Sequence, residues 1–376
     1  MYKLAVQLPT DKIYVLCRGY LHQAMEKWED SMPEEIDEIW ETGKIHFLTG
    51  DITHAQLGLG SHELKKLKEE VTVVIHAAAD FSFSQPLVPS VQTNCLPVLA
   101  LADMLRSFHK IKVLLHMSSV SAKSFQSENL VLENMEHASP DEPAPNDQLA
   151  EILATGNSPY SERFLAPYAQ SKYLTERLLL EQDFPFPLLI VRPANIGPAI
   201  RDPYPFYGPE GSIPLHTFAN LLLMGNQYRT FNDVEHMPQD IILDEIPVDV
   251  ASNVCLHHIA MGSSGIVHAG SQLYVPVTIG EWMMQIRRHT SQDLIDKVAR
   301  LRLQTNVDFA KQASEILNSI CRAWIIDCQR SKHLKGTEGA IGLSFPKHDF
   351  DTFFGERVKR RSRKLEQWID GAKRPN

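Results

Sequence analysis

Val113-Leu114-Leu115-His116-Met117-Ser118-Ser119 is an apolar run that stops at two hydroxyls, and Pro167-Tyr168-Ala169-Gln170-Ser171-Lys172 follows it with a phenol and an amine four residues apart. An unbroken apolar run of this length suits a strand buried on both faces, and open α/β sheets place ligand-contacting groups at the carboxyl ends of such strands. A spacing of four on a helix puts Tyr168 and Lys172 on one face. Pro167 suits the first helical position, and Leu174, Leu178 and Leu179 supply a buried stripe. A nearby ammonium favours phenolate and lowers a phenol's pKa from about ten, which makes a proton donor for neutral pH. An earlier run ends in His76-Ala77-Ala78-Ala79-Asp80, where small side chains let a flat ligand approach the backbone. In this order the three features suggest a hydride-transfer site.

Each also has a plainer use. Ser after a strand commonly caps a turn, three alanines can pack a helix on a sheet, and a Tyr-Lys spacing arises by chance on solvated helices. We take Ser119 as the reacting-site hydroxyl, with Ser121 in reserve. Gly50-Asp51 closes another apolar run, and the Asp51 carboxylate can accept from an adenine amino group or cap the next segment. Arg18 follows the first apolar run, where such folds place an acid for a free ribose hydroxyl or an Arg for a 2′-phosphate, so it favours NADPH over NADH.

Outward from these segments, short apolar runs alternate with amphipathic stretches. Strands are expected at Lys12 to Cys17, Lys44 to Leu48, Val71 to Ile75, Val113 to Met117 and Leu188 to Val191, with helices at Ser61 to Glu69, Ser90 to Phe108 and Pro167 to Gln182. That is the pattern of a doubly wound parallel sheet in an α/β protein. From Ala122 to Ala166 the composition turns to Pro, Ser, Glu, Asp and Asn, read as an exposed excursion or lid. A Pro-, Gly- and Tyr-rich stretch from Arg201 to Pro214 suits a substrate-facing loop. Helical signals return at Leu215 to Met224, Val248 to Ala260 and Thr278 to His289, and the tail from Leu294 reads as helices ending in a basic run, Arg357 to Lys364. We expect a dinucleotide-binding unit over residues 1–198 and a smaller, mostly helical substrate-binding part over 199–376, with about 240–270 returning to the sheet.

The net charge of -9 over 376 residues is spread rather than blocked, which argues against nucleic acid as a partner. Five cysteines without a C-x-x-C pair argue against a disulfide framework and a metal site, and fit reduced thiols in the cytosol. No run reaches the roughly eighteen apolar residues of a transmembrane segment.

With these residues placed, the chain resembles the extended branch of the short-chain dehydrogenase/reductase superfamily, a Rossmann-like fold. Within it the chain is most similar to the fatty acyl-CoA reductase and thioester reductase group, also called the male-sterility type. The resemblance runs from Ile13 to Gln285 and rests on Ile13-Tyr14-Val15-Leu16-Cys17-Arg18, Gly50-Asp51-Ile52, Val74-Ile75-His76-Ala77-Ala78-Ala79, Asn94, Ser118-Ser119, Tyr168 with Lys172, Val191-Arg192-Pro193-Ala194-Asn195-Ile196-Gly197-Pro198 and Ile246-Pro247-Val248-Asp249-Val250. It implies that Ser119 orients the substrate oxygen, Tyr168 donates the proton, Lys172 lowers the Tyr pKa and binds the nicotinamide ribose, and Asn94 supports the proton relay. Arg18, Asp51, Ile52, Ala77, Ala78, Ala79, Pro193, Ala194 and Ile196 would line the cofactor groove. The implied activity is NADPH-dependent reduction of an acyl thioester, carried on coenzyme A or a carrier protein, to an aldehyde or alcohol.

The chain departs from the family pattern at its start. The resemblance implies a first strand and a G-x-x-G-x-x-G turn whose amides cradle the pyrophosphate, whereas Met1-Tyr2-Lys3-Leu4-Ala5 reads as already within the first helix. The strands at Ile13 and Val73 would then lack their shared neighbour. Two accounts follow: a true start lying upstream, or a rearranged sheet with a crippled cofactor site. Two alternatives stand beside the thioester reading, namely an extended dehydrogenase acting on another carbonyl or a nucleotide sugar, and a non-catalytic scaffold.

Overall fold

The computed structural model describes residues 1–127, 129–208, 213–216, 238–301 and 322–372. The apolar runs form strands β1 (Ile13–Cys17), β2 (Ile45–Thr49), β3 (Val73–His76), β4 (Val113–Met117), β6 (Leu188–Pro193) and β9 (Gly265–Ala269), with the short β5 (Leu130–Val131), β7 (Asn195–Gly197), β8 (Glu245–Pro247) and β10 (Ile325–Ile326) between and after them. β3, β4, β6 and β9 make one parallel sheet in that order. Val113, Leu114 and Leu115 are at most 1% exposed, as a central strand covered on both faces must be.

β1 and β2 pair in parallel as a separate two-stranded sheet. Among the described residues β1 pairs only with β2 and β3 only with β4, so the sheet is interrupted between β1 and β3. Side chains still bridge the interruption: Tyr14, Leu16 and Leu48 pack in the same apolar cluster as Val74, Leu114 and Leu179. Ile75 of β3 is 41% exposed, high for a strand otherwise facing a core.

Helices α1 (Leu21–Ser31), α2 (Ile36–Glu41) and α3 (Ser61–Glu70) lie among the first strands, and the expected helix over Ser90 to Phe108 is two, α4 (Leu87–Asn94) and α5 (Leu96–Leu105). Pro97 has no N–H to bond the carbonyl four residues back, and the break at Cys95 follows from that. The helix carrying Tyr168 and Lys172, here α7 (Pro167–Leu180), starts at its proline as the sequence requires.

The excursion is not an exposed lid. It holds β5, which pairs with β10, and α6 (Pro145–Thr155). Phe125, Phe164 and Tyr173 meet edge-on or tilted with centroids 5.1 to 5.6 Å apart, and Val131, Ala138, Gln148 and Ile152 are at most 2% exposed. The proline and acidic residues that suggested solvent serve as helix starters and ion-pair partners: Glu142 binds Arg177 at 2.9 Å.

The stretch after β7 is fastened by one carboxylate. Asp249, in the first turn of the helix Val248–Ala260, accepts from the amides of Ile200, Arg201 and Asp202 at 3.2, 2.9 and 3.1 Å. Lys3 and Gln7 hold the Asp202 side chain from the N-terminal side at 2.5 and 2.9 Å. Asp249→Ala strips these three amides and that of Val250 of their partner and should lower unfolding free energy by about 1–3 kcal/mol, read as an earlier urea midpoint with an unchanged slope. An unaltered midpoint would show that water replaces the carboxylate without cost. Most of the helix expected over Leu215 to Met224, and part of the helical tail after Leu301, lie outside the described residues. Among the described residues no helix is long and apolar enough to cross a membrane.

Candidate active site

β4 delivers its two serines to opposite fates. Successive strand side chains point to opposite faces, and Ser118, 3% exposed, turns inward so that its hydroxyl donates to Glu176 at 2.5 Å. Ser119 turns the other way. Its Oγ accepts from the Ser121 amide at 3.2 Å and hydroxyl at 2.9 Å, which is the capping use, and it also acts on the Tyr168 phenol, favouring its ionised form. The two roles coexist on one oxygen. Phe83 meets the Tyr168 ring edge-on at 6.0 Å.

Lys172 lies beneath them, 2% exposed, with Nζ donating to the Met117 carbonyl at 2.8 Å and 6.0 Å from the Tyr168 ring centre. Burial pulls its ammonium down to about 8, opposed by Glu176. Burial pushes the Tyr168 phenol up to about 12, with the Ser119 hydroxyl acting against the rise. The sequence expectation that Lys172 depresses the phenol is therefore not what this geometry gives: the ammonium is turned to a backbone carbonyl, and loss of water dominates the phenol.

Asn94, 1% exposed, accepts from the Asp80 amide at 2.8 Å and donates to its carbonyl at 2.9 Å. It reaches α7 through Ser171 at 3.2 Å, one residue before Lys172, and so braces the helix and the loop after β3. His76 and His116 stack in the sheet with their Nδ1 atoms 3.3 Å apart.

The groove residues gather at the carboxyl ends of the strands. Ala77 and Ala78 are exposed and Ala79 half-buried, so this run is an open ledge and not a seat for a helix. Pro193 ends β6 and Ala194 follows it; β6 lies beside β4 with Met117 opposite Val191, and Ile196 lies on β7. Across the interruption, Arg18 and Asp51 follow β1 and β2, whose ends are paired at Cys17 and Thr49. Asp51 accepts from the Thr53 amide and hydroxyl at 2.8 and 2.7 Å, so one oxygen already serves as a cap. Ile52 beside it is half-buried. An exposed small-residue ledge, a guanidinium at the neighbouring strand end and a buried amine suit the nicotinamide and adenosine ends of a dinucleotide.

Sequence reasoning gave no role to Ser118 or Arg192 and did not name Glu176. The available signal was the continuation of the Tyr168 and Lys172 stripe by one more turn to Glu176.

A parallel sheet flanked by helices, with the described strand ends turned to one edge, is the architecture of the Rossmann-like α/β class of reductase folds. The model of one family in that class, described as male sterility protein, matches residues 1–255, and the chain belongs to that family. It is 24% identical over 269 residues to fatty acyl-CoA reductase 1 of Gallus gallus, covering 65% of this chain and 48% of that protein. It is 24% identical over 306 residues to fatty acyl-CoA reductase 1 of Xenopus laevis, covering 74% of this chain and 54% of that protein. The chain thus spans about half the length of the curated relatives it matches. Among solved structures, the terminal R domain of the myxalamid PKS-NRPS biosynthetic pathway shares the fold with a TM-score of 0.65 at 19% identity, covering 98% of this chain and 87% of that one. The reductase domain of a nonribosomal peptide synthetase from Mycobacterium tuberculosis does so with a TM-score of 0.61 at 14% identity, covering 97% and 89%.

Proposed function

We propose that this chain reduces an acyl thioester, carried on coenzyme A or a carrier protein, with NADPH as the electron donor. The observation that carries the reading is a phenol and a buried amine one turn apart on α7, with Lys172 Nζ bonded to the Met117 carbonyl at the end of β4 and Ser119 acting on the Tyr168 phenol. Family membership and the acyl-CoA reductase relatives support the substrate class.

Ala77, Ala78, Ala79, Pro193, Ala194 and Ile196 would hold the cofactor, Lys172 its ribose, Asp51 and Ile52 its adenine, and Arg18 its 2′-phosphate. The cofactor, when bound, supplies the hydride that the carbonyl carbon accepts. Ser119 and Tyr168 donate hydrogen bonds to the carbonyl oxygen, and the Tyr168 proton neutralises it as charge develops. The tetrahedral product then loses its carbon–sulfur bond, giving an aldehyde and a free thiol, and a second round would give an alcohol. Lys172 Nζ holds the end of β4 through the Met117 carbonyl, and Asn94 holds α7 in register through Ser171. We place this chemistry in the cytosol, in keeping with free thiols at Cys17, Cys95, Cys255 and Cys328.

NADPH oxidation should depend on added acyl-CoA and release one thiol per aldehyde; oxidation driven only by free ketones or nucleotide sugars would move the site to another substrate class. In the same assay Arg18→Asp should lower the NADPH to NADH efficiency ratio about tenfold or more, and an unchanged ratio removes the phosphate contact. A non-catalytic binding role is the second reading. The interruption between β1 and β3 favours it, and titration with NADPH separates the two, since micromolar binding argues for a working site.

A further inference from the structure

Glu176 has no part in the chemistry above, yet it is completely buried. It lies one turn beyond Lys172 and two beyond Tyr168 on α7, so phenol, ammonium and carboxylate share one stripe. Lys172 Nζ bonds the Met117 carbonyl, and Ser118 Oγ donates to Glu176 Oε1. Consecutive turns of the helix therefore grip consecutive residues at the end of β4, directly before Ser119. From β6, Arg192 Nε donates to both Glu176 oxygens at 2.9 and 3.1 Å, and its Nη2 adds a bond to Oε2. Arg192 is itself completely buried, and its Nη1 donates to the Asn134 carbonyl at 3.0 Å, which ties in the excursion.

Packing alone does not call for charge here, because apolar residues can often replace a buried ion pair at no loss of stability. A use for the charge lies one turn away. The Lys172 ammonium is buried and its hydrogen bond runs to an uncharged carbonyl, so removal from water works against its charged form; Glu176 is the leading influence in the other direction. Arg192 holds both carboxylate oxygens and fixes Glu176 in place, one helical turn from Lys172.

We propose that Glu176 is a positioning residue of the Ser119, Tyr168 and Lys172 set: through Ser118 it fixes the strand end that presents Ser119, and its charge keeps the buried Lys172 side chain an ammonium. Its consequence for catalysis rests on the reductase reading, whereas its electrostatic part does not.

The test is a side-chain ¹³Cε NMR titration of the lysines in the full chain, with Lys172 assigned by its loss in Lys172→Arg. Glu176→Gln should lower the Lys172 midpoint by about one pH unit, a tenfold weaker hold on its proton, and the pH profile of kcat should move with it. Ser118→Ala keeps the carboxylate, so the midpoint should stay while kcat falls on the order of tenfold with little change in KM. Because Glu176→Gln strands Arg192, the double variant Glu176→Gln, Arg192→Met supplies a folded alternative in which the midpoint should also fall. An unmoved Lys172 midpoint in either folded variant overturns the proposal and leaves Glu176 a packing element. A shifted midpoint in a protein that reduces no thioester removes the reductase reading and supports the electrostatic assignment.

Discussion

Tyr168→Phe should reduce thioester-dependent NADPH oxidation by about 10²- to 10⁴-fold in kcat, the range that a positioned acid contributes, while NADPH affinity and the thermal midpoint stay near those of the parent. The deleted oxygen is the one whose ionisation Ser119 favours, and the ring that meets Phe83 edge-on is retained. Stopped-flow absorbance with a long-chain acyl-CoA reads the first effect, and calorimetry and fluorescence titration the others. Undiminished turnover would remove Tyr168 from the mechanism. With its phenol pushed up to about 12 by burial, Tyr168 is neutral at physiological pH and can give its proton.

The second large effect is acid lability. Burial, with Lys172 nearby, holds the His76 imidazole down at about 4, and burial holds His116 well below its ordinary value. Burial, with Arg192 alongside, pulls His268 down to about 3. Below about pH 6.5 the unfolded chain binds protons at these three positions that the native state refuses, so stability is intact above 6.5 and drains away as pH falls toward 4. Three such groups give a limiting slope of about 4 kcal/mol per pH unit, against a total of about 5–15 kcal/mol for a typical domain. Urea midpoints should therefore collapse between pH 6.5 and 4, and His268→Gln should soften the fall. A midpoint level across that range would mean that these rings are solvated in the native state.

Much of the frame was legible in the sequence, because hydrophobic runs and their terminating residues are local signals. The β4 run ends where the structure ends it, and Pro167 starts α7 as its missing N–H requires. The ledge at Ala77 and Ala78 was ambiguous until exposure decided it, since small side chains serve an open groove and a tight packing surface equally. The excursion was misread because its composition reports mostly the residues that meet water or start turns, while the buried Val131 and Ile152 lie in apolar runs of only three residues, too short to show a period. The Ser118, Glu176 and Arg192 cluster was hidden for a different reason. Its bonds link positions 16 and 58 residues apart, and no spacing rule within one element reaches so far.

The long detour between Ser119 and Tyr168 has one more consequence. The Ala138 amide donates to the Tyr173 hydroxyl at 2.9 Å, and Arg177 donates to the Gln148 side chain at 3.0 Å and the Pro143 carbonyl at 2.7 Å. The detour thus works as a splint laid along the outside of α7, clasped to β10 at its other end. A helix splinted in this way cannot slip by a residue or roll about its axis without tearing those clasps. The alignment of phenol with hydroxyl is inherited from side chains that touch neither.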